Sequence, residues 1–107
     1  MIIKGSNNIQ MSYYFDKTNQ PNQLIQMGRL ILLPGERYPK EGYAIHDQDE
    51  FSYIIKGSPK CVLEATGETH NGQPGNAQLI LAKERHYNYN DTDEPVELVW
   101  MLVERSG

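Results

Sequence analysis

The stretch Gly42-Tyr43-Ala44-Ile45-His46-Asp47-Gln48-Asp49-Glu50-Phe51-Ser52-Tyr53-Ile54-Ile55-Lys56-Gly57 decides the reading of the fold. Phe51 to Ile55 is aromatic and β-branched except for Ser52, and the run stops at Gly57. That pattern predicts a β-strand entering a turn. Strand side chains alternate between faces, so positions an even number apart share one. His46, Gln48, Glu50, Ser52 and Ile54 are therefore expected to point the same way. An imidazole and a carboxylate aimed into one space are half of a metal site, because such nitrogen and oxygen donors suit divalent transition ions.

Outward from this stretch the chain reads as further short strands. Residues 9–15, 23–33, 60–65, 78–82, 86–89 and 96–104 carry apolar, β-branched or aromatic runs. Between them lie breakers: Pro34-Gly35, Pro39, Gly57-Ser58-Pro59, Asn71-Gly72, Pro74-Gly75 and the polar segment 91–95. Residues 5–8, 16–22 and 37–42 read as turns or loops, and Thr66-Gly67-Glu68 as a hairpin turn. No segment shows a sustained helical period with a cap and a stop signal. Short strands with regular turn signals predict an all-β sandwich or barrel. The last run, Val96-Glu97-Leu98-Val99-Trp100-Met101-Leu102-Val103, is apolar on nearly both faces. Such a strand is expected to be covered twice, by the barrel interior and by a second sheet or a partner chain.

Composition narrows the function classes. A chain of 107 residues suits one compact domain. The 38% of hydrophobic residues suffices for a small core if the seven tyrosines help to fill it. Net charge is -4 and there is no Lys/Arg cluster, which argues against nucleic acid and against anionic membrane surfaces. Apolar runs such as residues 30–33 are far too short to span a bilayer, and the N-terminus has no signal-peptide pattern. Cys61 is the one cysteine, so no intrachain disulfide can form. It reads as a core filler, and together these features predict a cytoplasmic setting.

The other half of the site comes from Gly75 to Asn90. His86 opens a short aromatic strand, and if that strand crosses a barrel from the first, its imidazole can converge on His46 and Glu50. Two histidines and one carboxylate form the facial ligand set of non-haem iron sites, with positions left open; zinc, manganese and nickel are also suited.

Here the sequence resembles the cupin family. Its first motif is a glycine, a His-x-His pair, a glutamate three or four residues on and a glycine after six more. Glu50 and Gly57 have that spacing, and His46 falls on the second histidine. In its second motif a glycine precedes Pro-x-Gly and a histidine and asparagine close together. Gly75, His86 and Asn90 match, and Pro34-Gly35 resembles the Pro-Gly often found upstream. The resemblance covers roughly residues 24–104. Ala44 stands at the first histidine, Leu81 and Lys83 at the usual proline and glycine, and Asn76 where an aspartate is common. The resemblance implies a single-domain jelly roll, or double-stranded β-helix, over residues 1–107. It implies a divalent transition metal (iron, manganese, zinc or nickel) held by His46, Glu50 and His86, a small-molecule ligand, and a homodimer. Lys83 is expected to alter the turn before His86, since the usual glycine there often supplies a positive φ.

Around that ligand set, Gln48 is expected near the mouth of the site, and Ser52, Ile54, Trp100 and Leu102 as pocket lining. Arg29 could bind a substrate carboxylate or sit at the rim. Asn90 could touch substrate or, better, bond at a strand end. His70 is expected to be exposed, and Asp47 and Asp49 to form a solvated acidic turn. Tyr43, Tyr53, Tyr87 and Tyr89 have the opposite parity and should pack away from the site. Three functions stay open: a metal-binding cupin with an interior pocket, which if it is an enzyme could be of dioxygenase, isomerase or epimerase type; a non-catalytic binding or sensory module, suggested by Ala44; and a structural or accessory dimer.

Overall fold

Alternation along the chain translates directly into two facing sheets. The computed structural model describes residues 1–5 and 9–105, so most of the turn expected over residues 5–8 lies outside the described residues. Among the described residues there are nine strands and no helix. In chain order they are β1 (Met11–Asp16), β2 (Leu24–Leu32), β3 (Arg37–Tyr38), β4 (Asp49–Lys56) and β5 (Lys60–Leu63), then β6 (Thr69–Asn71), β7 (Ala77–Ile80), β8 (His86–Tyr89) and β9 (Val96–Val103). A five-stranded sheet runs β1-β2-β9-β4-β7, and a four-stranded sheet runs β3-β8-β5-β6. Every strand pairing is antiparallel.

The core is built from one parity class. Leu30, Leu32, Ile54, Val96, Leu98, Trp100 and Leu102 form a single buried cluster. Register explains why: Leu30 pairs with Leu98, which pairs in turn with Ile54 on the far side of β9. Each such aliphatic side chain contributes about 1.5–3 kcal/mol by leaving water. Gly28 faces Trp100 across the β2/β9 ladder. A Cβ there would stand 2.5 Å from the indole Cζ2 and 2.4 Å from the Ser12 carbonyl oxygen, so the ring can lie against β2 only because residue 28 has no side chain. Gly57, at φ 81°, turns the chain out of β4, where a Cβ would strike the Pro95 carbonyl at 2.4 Å.

Three expectations need correction and a fourth is narrowed. The strand carrying Glu50 begins at Asp49, so His46 precedes it and residues 47–48 form a bend. Segments read as polar connections contain β3 and β6, which pair along β8 and β5. Two- and three-residue strands carry too little side-chain alternation to show in sequence; backbone ladders define them. Of the two covers expected for the outer face of β9, a second sheet is absent among the described residues, which leaves the partner chain: Met101 is 38% exposed, beside Phe51 and Tyr53 of β4. Asp49 is not a free acidic turn residue. Its carboxylate accepts from the Ala82 N–H at 2.9 Å and from Arg105 Nη2 at 2.8 Å.

Candidate metal centre and cavity

Glu50 and His86 reach the centre from opposite sheets, and His46 arrives from the connection before β4. Backbone bonds stitch that connection to the approach to β8. Ala44 N–H donates to the His86 carbonyl at 2.7 Å, and His86 N–H returns a bond to the Ala44 carbonyl at 3.0 Å. Lys83 N–H donates to the His46 carbonyl at 2.7 Å. Residues some forty positions apart are thus held in fixed register, as the convergence argument requires.

His46 Nε2 lies 3.2 Å from Glu50 Oε1, and His86 Nε2 lies 3.8 Å from the same oxygen. One donor atom from each of His46, Glu50 and His86 fits within 4.8 Å of the others. The imidazoles meet edge to face, with centroids 5.2 Å apart. His86 is nearly fully buried, and its Nδ1 sits 3.0 Å from the Glu84 carbonyl oxygen. A proton on Nδ1 would be donated there, leaving the Nε2 lone pair turned to the centre, the usual arrangement behind a metal-binding histidine. The His46 imidazole has its pKa raised from the ordinary histidine value. Its hydrogen bond to Glu50 is the main cause; burial opposes it, and the Glu50 charge and the Gln48 backbone add to it.

These donors fit a divalent ion. Nitrogen and oxygen ligands stand about 2.0–2.2 Å from zinc, which places neighbouring donors roughly 3–3.5 Å apart. The separations to Glu50, 3.2 and 3.8 Å, approach that spacing, and all three donors lie within 4.8 Å, so a bound ion would draw them slightly together. Ala44, at the remaining family ligand position, lines the same cavity with a methyl group.

The cavity has a volume of about 130 Å³. Leu30, Leu98, Trp100 and Leu102 form its apolar wall. Tyr13, Gln26, Tyr38 and Asn88 are its neutral polar groups. Burial first, then hydrogen bonding with Tyr13 and the nearby charges, raises the Tyr38 pKa above the ordinary phenol value. The Tyr13 ring stands edge-on to Trp100 at 5.8 Å, and Trp100 Nε1, although buried, has no hydrogen-bond partner.

The structure brings His46, Glu50, His86, Trp100 and Leu102 to one cavity and leaves the other named residues elsewhere. Arg29 has outward parity and pairs with Glu97 at 3.1 Å. Gln48 bonds to Glu104 at 3.3 Å, because the bend at 47–48 removes it from the β4 alternation. Ser52 is buried but donates to Gln78 on β7 at 3.1 Å, and Ile54 belongs to the packed core. Asn90 is a strand-end bonder: its Nδ2 donates to the Leu32 and Glu94 carbonyls, while its Oδ1 accepts from Thr92. His70 is exposed beside Glu68, and Cys61 is buried with its thiol pushed up to about 12, which suits a filler. Tyr43 and Tyr87 pack together at 5.4 Å with Arg37 over the Tyr87 ring.

Sequence reasoning missed Gln26, Asn88 and Leu98, although parity with Leu30, His86 and Trp100 was available to find them. Tyr13 and Tyr38 had no such signal. Their placement depends on β1 and β3 closing over the cavity, which is a matter of strand order.

A cupin domain family model matches residues 28–102. The chain therefore belongs to the cupin family. Among solved structures it is similar to an RmlC-like cupin with a double-stranded β-helix fold from Methanocaldococcus jannaschii. The TM-score is 0.78 and the identity 17%, over 97% of this chain and 90% of that one. A cupin 2 conserved barrel domain protein from Salinispora arenicola gives 0.77 and 17%, over 97% and 89%. A predicted oxalate decarboxylase from Thermotoga maritima gives 0.75 and 18%, over 89% and 79%. At these identities the likeness carries the fold: the two sheets are the jelly roll, or double-stranded β-helix, expected from the sequence. No protein with a curated description matches the sequence.

Proposed function

We propose that residues 1–107 form one cupin domain that binds a divalent transition metal through His46, Glu50 and His86 and holds a small molecule in the adjoining cavity. The observation that carries this reading is the meeting of three metal-binding side chains, from both sheets and one connection, at a cavity. A bound divalent ion would supply Lewis acidity toward an oxygen of the ligand, toward water or toward O2. The chain's own part is to orient the His86 ring through Glu84, to hold His46 through Lys83, and to keep the cavity walls largely apolar. Fold does not choose among dioxygenase, isomerase and epimerase chemistry. Metal content of the purified protein, measured by mass spectrometry, tests the assignment. One equivalent lost in His86→Ala supports it, and no uptake at any loading overturns it.

Ala44 favours a second reading, a non-catalytic binding or sensory cupin with a reduced ligand set. A metal-loaded protein that binds ligands but turns none over supports this alternative. In either case we place the protein in the cytoplasm and read it as a homodimer. Phe51, Tyr53, Leu79 and Met101, exposed on the outer face of the five-stranded sheet, offer the apolar surface for the second copy. Light scattering on the purified protein checks that state.

A further inference from the structure

Resting on the metal-centre reading, the walls of the cavity carry information about what enters it. Among the described residues lining it there is no lysine or arginine. Its ionisable groups beyond the tyrosines are those of the centre itself, His46, Glu50 and His86. A divalent ion with the Glu50 carboxylate leaves one unit of positive charge. One anionic oxygen on a ligand would balance it, and a second would be buried without a counter-ion. An uncompensated buried carboxylate is disfavoured by several kcal/mol, or about a hundredfold and more in affinity.

The remaining wall favours a ring. An apolar cavity of about 150 Å³ holds benzene, so about 130 Å³, part of which a bound ion would take, has room for no more than one six-membered ring. Trp100 offers an aromatic surface, with Leu30, Leu98 and Leu102 around it. Neutral hydrogen-bonding groups are present in Gln26, Asn88, Tyr13 and Tyr38. A ring oxygen substituent accepts hydrogen bonds from such donors without bringing in a second charge.

We infer that the cavity selects a ring-sized ligand bearing at most one negative charge, of the phenol, catechol or enol class, over small dicarboxylates. Catechol, which chelates as its monoanion after releasing one proton to solvent, and oxalate, a dianion, serve as probes, since both can be bidentate oxygen ligands and they differ in charge and in the ring. Metal content is fixed first by mass spectrometry, and each probe is then titrated calorimetrically into the loaded protein. Catechol is expected to bind more than about tenfold tighter than oxalate. Gln26→Lys, which puts a cation in the wall, is expected to shift that ratio toward oxalate by about tenfold. Tyr13→Lys, at the exposed mouth, serves the same purpose if Gln26→Lys does not fold. The order of affinities is expected to persist in metal-free protein, where Glu50 itself repels the dianion. Loss of the metal would therefore sink the metal centre without touching this selectivity. Oxalate binding as tightly as catechol, or a lysine variant with an unchanged ratio, would overturn the inference.

Discussion

The backbone N–H of Lys83 donates to the carbonyl of His46 at 2.7 Å, and Lys83 makes that bond from φ 69°. Among the described residues it is the one non-glycine residue at positive φ. The family's usual glycine is absent, yet the left-handed turn is kept. A non-glycine residue in that conformation costs of order 1 kcal/mol. Lys83→Gly is therefore expected to leave stability unchanged or raise it by up to about 1 kcal/mol, with metal affinity retained. Lys83→Val, β-branched and poorly tolerated at positive φ, is expected to lose about 1–3 kcal/mol and to loosen the centre with it. Chemical denaturation and metal titration of both variants check this.

A second prediction concerns Gly28 and Trp100. The indole occupies the volume that a residue-28 side chain would need, with Ser12 closing the other side. Backbone on one side and a packed ring on the other leave little room to yield. Gly28→Ala is expected to destabilise the fold by about 1–3 kcal/mol and to displace the indole. Trp100 is the sole tryptophan, so its emission reports the displacement directly. An unshifted spectrum with full stability would refute the packing argument.

How much of this was legible beforehand follows from two kinds of information. Parity along a strand is local, so the inward positions of Trp100 and Leu102 on β9 and of Ile54 on β4 could be read from the sequence, although parity alone does not tell packed core, where Ile54 lies, from pocket wall. The pairing of His46 with His86 came from motif spacing, since nothing within either segment says that they meet. Of the two places expected for Arg29, pocket or rim, its outward parity, given by Leu30 and Leu32, leaves only the one away from the cavity, against Glu97. Gln48 was misplaced because the bend at residues 47–48 interrupts the period, and Asp49 because Arg105 reaches it from beyond β9. Tyr38 and Tyr13 depend on strand order, which single-segment patterns do not encode.

The His46–Glu50 pair sets a pH dependence whose two readouts have opposite signs. The folded imidazole has a raised pKa, first through its hydrogen bond to Glu50. Protonation is thus favoured in the folded state. In metal-free protein the stabilisation is fully present below the unfolded histidine value of about 6.5 and is lost as pH rises through the folded value. Metal coordination needs the neutral ring, so ion affinity should increase across that same interval. Melting of apo protein at pH values on either side, beside metal titrations at the same points, checks both signs. Glu50→Gln is expected to flatten the apo profile; a profile that keeps its slope in this variant would assign it to another group.

Ala44 offers the sharpest intervention. Its backbone exchanges two hydrogen bonds with His86, at 2.7 and 3.0 Å, and its methyl lines the cavity that His46, Glu50 and His86 share. A histidine introduced there starts from a backbone already registered against a proposed ligand, so it needs no rearrangement of the fold to reach the centre. Ala44→His is expected to strengthen metal binding by roughly ten- to a hundredfold, since each factor of ten requires only about 1.4 kcal/mol from the added donor. The same imidazole would fill part of a cavity of about 130 Å³, so binding of a ring-sized probe such as catechol is expected to weaken as ion affinity rises. Competition against a chelator of known affinity gives the first quantity and calorimetry the second. Stronger ion binding with unchanged probe binding would mean that residue 44 faces the ion but not the ligand space. No change in ion affinity would mean that the centre does not extend to residue 44.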